Sequence, residues 1–350
     1  MGTFKSIQML RALAATAVVF FHAHQDAEAE GWLRAFRAED RIFAFGEAGV
    51  HIFFVISGFV MMISFLGPRK FSFRDFLMKR FIRIYPVYWL VLAISLLIFF
   101  AIGRQIHSTG LEFFGVMALW PGLSPRYISP AWTLSYEVYF YLCFATAMLL
   151  GRQRGFLILC GFFILMIASR PFLDTGNAFI DLATNGLLIE FLTGAAIALW
   201  LTYRKPSLEF GRTLVIGAIL VFLAGFALEE NALPKVVLWG IPSCILIAGV
   251  VAWESNSGAS NIVNALARFG DSSYILYLTH KPIQWGLLAL LLLACPGSEI
   301  SALAWVVPIS SLCLVLGEAA FLYVEKPLMK RLKLLTKIDT RPESSGTVRI

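Results

Sequence analysis

Residues 11–24, RALAATAVVFFHAH, are apolar enough to lie in a lipid bilayer, yet an arginine begins the run and two histidines end it. Of the 350 residues in the chain, 59% are hydrophobic and 15% are charged. A soluble domain is about half apolar and about a quarter charged. Because so little polar surface cannot cover a soluble globule, the surplus apolar residues are expected to face lipid. The sequence therefore predicts an integral membrane protein.

A helix needs about 20 mostly apolar residues to cross the hydrocarbon core. We find ten such segments and predict an all-α, polytopic membrane protein with about ten transmembrane helices. We expect 1–334 to form a single transmembrane domain and 335–350 to be a disordered cytoplasmic tail. Gly46, Gly49 and Gly58 in the second span predict close contact with neighbouring helices. The predicted spans are 7–24, 43–66, 84–102, 131–150, 155–170, 183–202, 213–228, 236–253, 273–294 and 301–324.

The distribution of lysine and arginine tests this count, because cytoplasmic segments are enriched in both residues. With both termini in the cytoplasm, the inner segments carry 20 of these residues and the outer segments carry 6. Arg11, Arg170 and Lys281 lie within spans and complete the 29. The basic runs adjoin predicted helices, where they fix topology and meet anionic lipid headgroups. We therefore expect a lipid bilayer as partner and no nucleic acid.

Arg11 and His22 lie eleven residues apart, which places them on one face of a helix and about 16 Å apart along it. Ionisable residues inside a bilayer are costly, so each is a functional hypothesis. For Arg11 the alternative is an anchor that reaches the headgroups. For His22 the alternative is a buried or interfacial histidine without a chemical role.

The run SPAWTLSYEVYFY places Glu137 about one and a half turns into the fourth span from its outer side. His22 has a matching depth in the first span. We therefore predict that Glu137 orients His22, an arrangement typical of a general base. The alternative is a structural carboxylate held by a tyrosine hydroxyl.

Two further pairs predict an anion site at the cytoplasmic side. Arg80 and Arg83, at i and i+3, lie on one side of a helix, and guanidinium groups bind phosphate in bidentate fashion. His280 and Lys281 lie several residues inside the ninth span and are predicted to help hold the same anion. Anchoring of the helix ends would explain the same charges.

Five pieces of sequence occur in a characteristic order. They resemble the acyltransferase-3 family of bacterial integral membrane acyltransferases, most closely its stand-alone exopolysaccharide O-acetyltransferases. The resemblance covers nearly the whole chain. The pieces are Arg11-x10-His22, GVHIFFVISGF, RFIRIYPVYW, WTLSYE and SYILYLTH.

The resemblance implies a membrane O-acyltransferase in the bacterial cytoplasmic (inner) membrane. Its donor would be acetyl-CoA or another cytoplasmic acyl-CoA, with no metal, and its acceptor a hydroxyl of a surface polysaccharide or lipid-linked sugar. The donor phosphates would lie at Arg11, Arg80 and Arg83, and His22 would act as base. Direct transfer and an acyl-histidine intermediate are both compatible with the sequence.

The family's Trp/Ser/Glu segment matches Trp132, Ser135 and Glu137. Segment 103–130 is too short to span the bilayer and too apolar to lie free in water, so we expect it in the interface or dipping back into the membrane. With Trp132, its two aromatic residues offer ring faces to a saccharide acceptor, although an interfacial aromatic belt would place them there too. His51 is predicted to line the same cavity as His22. The two aromatic residues are Trp120 and Tyr127.

Two other functions remain open at this point. One is acylation of a small molecule such as a macrolide by the same kind of enzyme. The other is transport of a lipid-linked oligosaccharide, although transporters tend to show two similar halves with broken helices, and no internal repeat of that kind is evident. The sequence gives no indication of oligomeric state.

Overall fold

The computed structural model describes residues 4–30, 42–43, 45–67, 70–105, 108–173, 176–228, 233–294 and 302–336. Throughout these ranges the regular structure is helical, with no strand. Short 3-10 or π turns precede several of the helices. The α-helices are α1 (Lys5–Ala29), α2 (Ala48–Phe65), α3 (Phe73–Ala101), α4 (Gly110–Met117), α5 (Trp132–Met148), α6 (Arg152–Ser169), α7 (Ala178–Ala183), α8 (Leu188–Tyr203), α9 (Leu208–Ala227), α10 (Ile241–Ser257), α11 (Asn261–Ala267), α12 (Ser273–Ala294), α13 (Ala302–Ala320) and α14 (Lys326–Thr336).

Nine helical segments within the described ranges are long and apolar enough to cross a membrane. The all-α, polytopic membrane fold is thereby confirmed. The fourth predicted span corresponds to α5, which has 17 residues and is therefore about 25 Å long, less than the hydrocarbon core of about 30 Å. The cytoplasmic location of the two termini stays a prediction. The nine segments are Lys5–Ala29, Phe45–Phe65, Phe73–Ala101, Arg152–Phe172, Ala178–Tyr203, Leu208–Ala227, Val236–Ser257, Ser273–Ala294 and Ala304–Thr336.

The segment between α3 and α5 folds back along α3. Three side chains of α3 donate hydrogen bonds to carbonyl groups at the end of α4, which a helix terminus leaves without intrahelical partners. Because α3 continues twelve residues beyond Trp89, the end of α4 lies about 18 Å back from the end of α3. The segment thus lies against α3, and its predicted position in the interface or dipping back into the membrane stays a prediction. The bonds run from Tyr85 to Ala118, from Tyr88 to Val116 and from Trp89 to Met117.

Because of this fold-back, α5 begins part-way along α3 and not beyond its end. Leu119 turns the chain with a φ of 60°, and its carbonyl accepts a hydrogen bond of 2.8 Å from Ser135 in the first turn of α5. The hydroxyl of Tyr85 on α3 donates a hydrogen bond to the carbonyl of Ala118, the residue next to Leu119. The short α5 therefore starts beside the part of α3 that carries Tyr85.

Close helix contacts depend on glycine. A Cβ atom on Gly58 of α2 would lie 1.9 Å from the carbonyl oxygen of Phe191, and one on Gly194 of α8 would lie 2.0 Å from that of Val55. Helices α2 and α8 thus cross with their backbones in contact, as small residues permit in membranes. The other two predicted glycines face α1, which confirms their packing role: Gly46 lies against Ala17, and Gly49 lies against Ala14.

Helix α1 is central, and it contacts α2, α11, α12 and α13. In contrast, α6 and α9 expose large apolar side chains, among them Leu157, Leu165 and Leu220, as expected of lipid-facing helices. The predicted domain boundary at 334 falls inside α14 (Lys326–Thr336). The rest of the predicted tail, 337–350, lies outside the described residues.

Candidate active site

One cavity collects charged residues that lie far apart in the sequence. Arg11 of α1, Arg80 and Arg83 of α3 and Glu137 of α5 all line it. The cavity is open on one side, and the empty space in it, together with open solvent at its mouth, amounts to about 770 Å³. The structure thus brings the three predicted phosphate-binding arginines together. We refer to this space as the arginine cavity.

Arg80 and Arg11 leave guanidinium groups available to a ligand. Arg80 lies against the rings of Phe76 and Tyr141, at 5.4 and 5.8 Å, and its buried Nε has no hydrogen-bond partner among the described residues. Arg11 makes only a long contact of 3.5 Å with Gln8 and no ion pair within the described part of the chain. Buried N–H donors of this kind favour an anion.

Arg83 is held in place by a residue that the sequence analysis missed. Its Nη1 lies 2.6 Å from Oε1 of Glu325, and its guanidinium stacks on Tyr274 at 5.0 Å. Glu325 is 1% exposed and ends a π turn, Phe321–Glu325. Its only signal in the sequence is a single carboxylate between an apolar run and a basic run, FLYVEKPLMKR. Such a carboxylate looks like an ordinary polar residue at the end of a transmembrane helix.

Glu137 does not contact His22, so the predicted His22–Glu137 pair is wrong. The carboxylate accepts hydrogen bonds from Ser57, at 2.9 Å, and from Tyr141, at 2.8 Å. The cause is the fold-back before α5, which starts this helix beside Tyr85. One and a half turns later, Glu137 has reached the level of the arginines.

His22 instead pairs with a histidine of α12. Its Nδ1 lies 2.9 Å from Nε2 of His280, and the two rings stack with centroids 5.0 Å apart. The Nδ1 of His280 lies 3.1 Å from the carbonyl oxygen of Leu276. Lys281 forms a buried ion pair of 2.5 Å with Asp26, at the last turn of α1.

The structure therefore does not bring His280 and Lys281 to the arginine cavity, contrary to their predicted place beside the donor phosphates. Helix α12 runs alongside α1, and the residues of its first turns line the cavity with the arginines; these residues are Ser273, Tyr274 and Tyr277. The next turn meets the half of α1 that holds His22 and Asp26.

Tyr277 joins the two groups of residues. Its side chain lines the arginine cavity, its hydroxyl lies 3.1 Å from that of Thr133, and its ring centroid lies 6.0 Å from that of His280. His22 is not among the residues that line the cavity. The ring of Tyr277 therefore lies between the end of the cavity and the histidine pair.

His51 forms a different buried pair. Its Nδ1 lies 2.5 Å from Oε1 of Glu190 on α8, and Gly240 leaves the space that this carboxylate fills, since a Cβ there would lie 2.5 Å from Oε1. The geometry gives no support to the prediction that His51 lines a cavity with His22.

The predicted acceptor residues have separate surroundings. Trp120 is 54% exposed and stacks on Phe179, whereas Trp132 packs edge-on against Phe54. Tyr127 is buried and its hydroxyl donates to Ser108. Ser135 is also buried, bonded to the Leu119 carbonyl. Their contact with an acceptor stays a prediction.

No group of three or more His, Cys, Asp or Glu side chains that might hold a metal ion occurs within the described ranges.

Comparison with known proteins identifies the class of molecule. A family model described as an acyltransferase domain, Acyl_transf_3, matches residues 4–322. The chain belongs to the acyltransferase-3 family. It is an integral membrane acyltransferase, and the ordered motifs around Arg11, His22, Arg80, Arg83 and Glu137 are part of the matched region.

Three curated proteins are similar to this acyltransferase. The exopolysaccharide production protein ExoZ of Rhizobium meliloti (strain 1021) is 29% identical over 83% of this chain and 91% of its own length. The acyltransferase MdmB of Streptomyces mycarofaciens is 25% identical over 97% of this chain and 95% of its own. The putative peptidoglycan O-acetyltransferase YrhL of Bacillus subtilis (strain 168) is 24% identical over 91% of this chain and 54% of its own. No solved structure matches.

Proposed function

We propose that this acyltransferase, in the bacterial cytoplasmic membrane, transfers an acetyl group from acetyl-CoA to a hydroxyl of a surface polysaccharide or lipid-linked sugar. The observation that carries the proposal is the cluster of three arginines in one cavity, which ends beside the His22–His280 pair. The names of ExoZ and YrhL support a saccharide acceptor, since they refer to exopolysaccharide and to peptidoglycan O-acetylation.

The arginine cavity is suited to the phosphates of the donor. Guanidinium forks bind phosphate oxygens in pairs, and Arg11 and Arg80 have no ion-pair partner among the described residues. Phosphate charge held there would stay at the end of the helix bundle from which α1 and α3 begin. The neutral pantetheine arm and its thioester would extend past Tyr277, which is the cheaper arrangement given the cost of charge in a bilayer.

His22 would act as the general base for transfer. Its Nε2 takes the proton of the acceptor hydroxyl while the hydroxyl oxygen attacks the carbonyl carbon of the thioester. The C–O bond forms, the C–S bond breaks, and the proton passes from His22 to the leaving sulfur, which gives free coenzyme A. The 16 Å or so between Arg11 and His22 along α1 is the distance the arm would span.

Glu137 would serve the donor side and not the base. It lines the arginine cavity and is held by Ser57 and Tyr141, and Tyr141 also lies under Arg80. The carboxylate thus limits the net positive charge of the empty cavity and keeps Arg80 in place. This assignment replaces its predicted role as the partner of His22.

The test is release of free coenzyme A by the purified protein in nanodiscs, with acetyl-CoA and a panel of saccharide acceptors. His22→Ala should abolish turnover and still bind acetyl-CoA, whereas Arg80→Ala should weaken binding. His24→Ala, two residues further along the same helix, is the matched control and should retain activity.

Full turnover by His22→Ala would remove the proposed base. Failure of the well-folded wild type to bind acetyl-CoA would remove the donor assignment. Binding without turnover on any saccharide, but with turnover on a small hydroxylated molecule, would replace the acceptor class.

A further inference from the structure

We propose that His280 is a positioning residue that fixes the tautomer of His22, with the proton on Nδ1 and the lone pair on Nε2. The inference rests on the proposed role of His22 as base. It reassigns His280 from the donor phosphates, where the sequence placed it, to the reacting end of the site.

The chain of hydrogen bonds runs in one direction only. A carbonyl oxygen accepts but cannot donate, so the Nδ1 of His280, 3.1 Å from the Leu276 carbonyl, must carry a proton. In a neutral imidazole the other nitrogen is then an acceptor. The Nε2 of His280 is therefore the acceptor in the 2.9 Å contact with His22, and the Nδ1 of His22 must donate.

This direction of the hydrogen bonds holds for a neutral His280, and the surroundings of the ring favour the neutral form. The side chain is 0% exposed, no carboxylate oxygen bonds to it among the described residues, and the next residue, Lys281, already places a positive charge nearby. A second charge would be buried without compensation. Asp26 is an acidic group that the structure connects to this turn, and it is bonded to Lys281.

The surrounding contacts hold His280 in this orientation. Gln284, one turn further along α12, donates through its side-chain amide to the carbonyl of Val19 on α1, at 3.1 Å. The backbone carbonyl of His280 accepts a weak bond from Cys313 of α13. Helices on both sides thus restrain the turn, and the ring of His280 has little freedom to exchange its partners.

The consequence concerns the atom that does the chemistry. The other polar contact of the His22 ring is with the backbone of Val18, one turn earlier on α1. No side chain among the described residues bonds to the Nε2 of His22, so this nitrogen presents a lone pair to a ligand. Free histidine in water prefers the opposite tautomer, with the proton on Nε2, which would leave no base at that position. Asp or carbonyl groups orient histidines in this way in other enzymes; here a second histidine, itself oriented by Leu276, does so.

The direct test is the ¹⁵N spectrum of the full-length protein in nanodiscs with labelled histidine, of which the chain has five. The signals of His22 are assigned as those lost in His22→Ala. We expect the wild type to show a protonated Nδ1 and an unprotonated Nε2 at His22. A proton on Nε2 would overturn the inference, whatever the variants do.

Kinetics provide the second test. His280→Leu removes the acceptor, whereas His280→Gln retains an acceptor oxygen near the position of Nε2. We expect His280→Leu to lower kcat on the order of 10- to 100-fold with an unchanged KM for acetyl-CoA. His280→Gln should recover most of that loss, which a purely structural role would not predict.

The outcomes separate this inference from the proposed function. Full kcat in His280→Leu together with an inactive His22→Ala would refute only the role of His280. An active His22→Ala would refute the base itself. A raised KM for acetyl-CoA in both His280 variants, with kcat retained, would return His280 to the donor site.

Discussion

The guanidinium of Arg83 and the carboxylate of Glu325 form an ion pair that joins α3 to the π turn before α14, with 2.6 Å between Nη1 and Oε1. The two partners are unequal in exposure, since the side chain of Arg83 is 34% exposed and that of Glu325 is 1% exposed. The second oxygen of Glu325 has no partner among the described residues. Arg83 is thus a candidate ligand for the donor and also, within the ranges that the structure describes, the sole ion-pair partner of the buried Glu325 carboxylate.

Arg83→Ala should therefore lower stability as well as donor binding. Removal of one partner leaves Glu325 buried and unpaired, at a cost of about 3 kcal/mol, the low end of the range for buried pairs because Arg83 is partly exposed. The double variant Arg83→Ala/Glu325→Gln should regain most of the melting temperature in thermal unfolding. Acetyl-CoA binding, measured by calorimetry, should stay weak in both, and its recovery in the double variant would show that Arg83 only supports the fold.

Glu137→Gln distinguishes a donor-side carboxylate from a partner of the base. We expect the KM for acetyl-CoA to rise several-fold with kcat largely retained, because the change disturbs the contacts with Ser57 and Tyr141 but leaves His22 and His280 untouched. Initial rates at varied donor concentration provide the measurement. Glu209→Gln, at the exposed start of α9, is the control, and a loss of kcat alone in Glu137→Gln would contradict this assignment.

Tyr88→Phe tests the fold-back of the segment before α5. Tyr88 is fully buried and donates to the Val116 carbonyl at 2.7 Å, which also accepts a backbone bond of 3.1 Å from Leu119; the variant removes the bond from Tyr88 and leaves the one from Leu119. The expected cost is about 1 kcal/mol, the net contribution of one hydrogen bond, seen as a lower melting temperature. Tyr323→Phe, at a site that is 80% exposed, should have no effect, and equal behaviour of the two variants would mean that this bond does not stabilise the segment.

Gly58→Ala should be among the most damaging small substitutions. Its Cβ would lie 1.9 Å from the Phe191 carbonyl oxygen, and backbone atoms cannot yield as a side chain does, so α2 and α8 must separate. We expect a loss of at least about 1–3 kcal/mol. Gly217→Ala in α9 meets no atom within 4 Å and should be neutral or stabilising by up to about 1 kcal/mol. Thermal unfolding of the two variants in the same detergent makes the comparison, and a neutral Gly58→Ala would contradict the crossing.

The sequence was sufficient for the helical membrane fold, because hydropathy decides that directly. It was also sufficient for the grouping of Arg11, Arg80 and Arg83, since all three lie near the ends of spans on the same predicted side. The packing role of the three glycines in the second span was also predictable, because glycine is unfavourable in a helix unless a neighbouring helix packs closely against it.

The partners of the ionisable residues were not predictable in the same way. Depth was counted from the ends of the predicted spans, and this count placed Glu137 beside His22. A segment that folds back shifts the following helix by about 18 Å along α3, and its signal in the sequence is only a set of aromatic donors, Tyr85, Tyr88 and Trp89. The predicted topology already gave α12 the same direction as α1, but it did not give the depth of His280 relative to the arginines, so His280 was assigned to the wrong end.

Helix α1 runs without interruption from Lys5 to Ala29 and carries both Arg11 and His22. Motion of this helix shifts the two side chains together, so the separation between the proposed anion anchor and the proposed base does not change as the rest of the bundle moves. Selection of the donor by length follows from this rigidity. A thioester on a carrier too short to reach from one residue to the other, such as an N-acetylcysteamine ester, would occupy one end at a time, whereas a full coenzyme A would engage both.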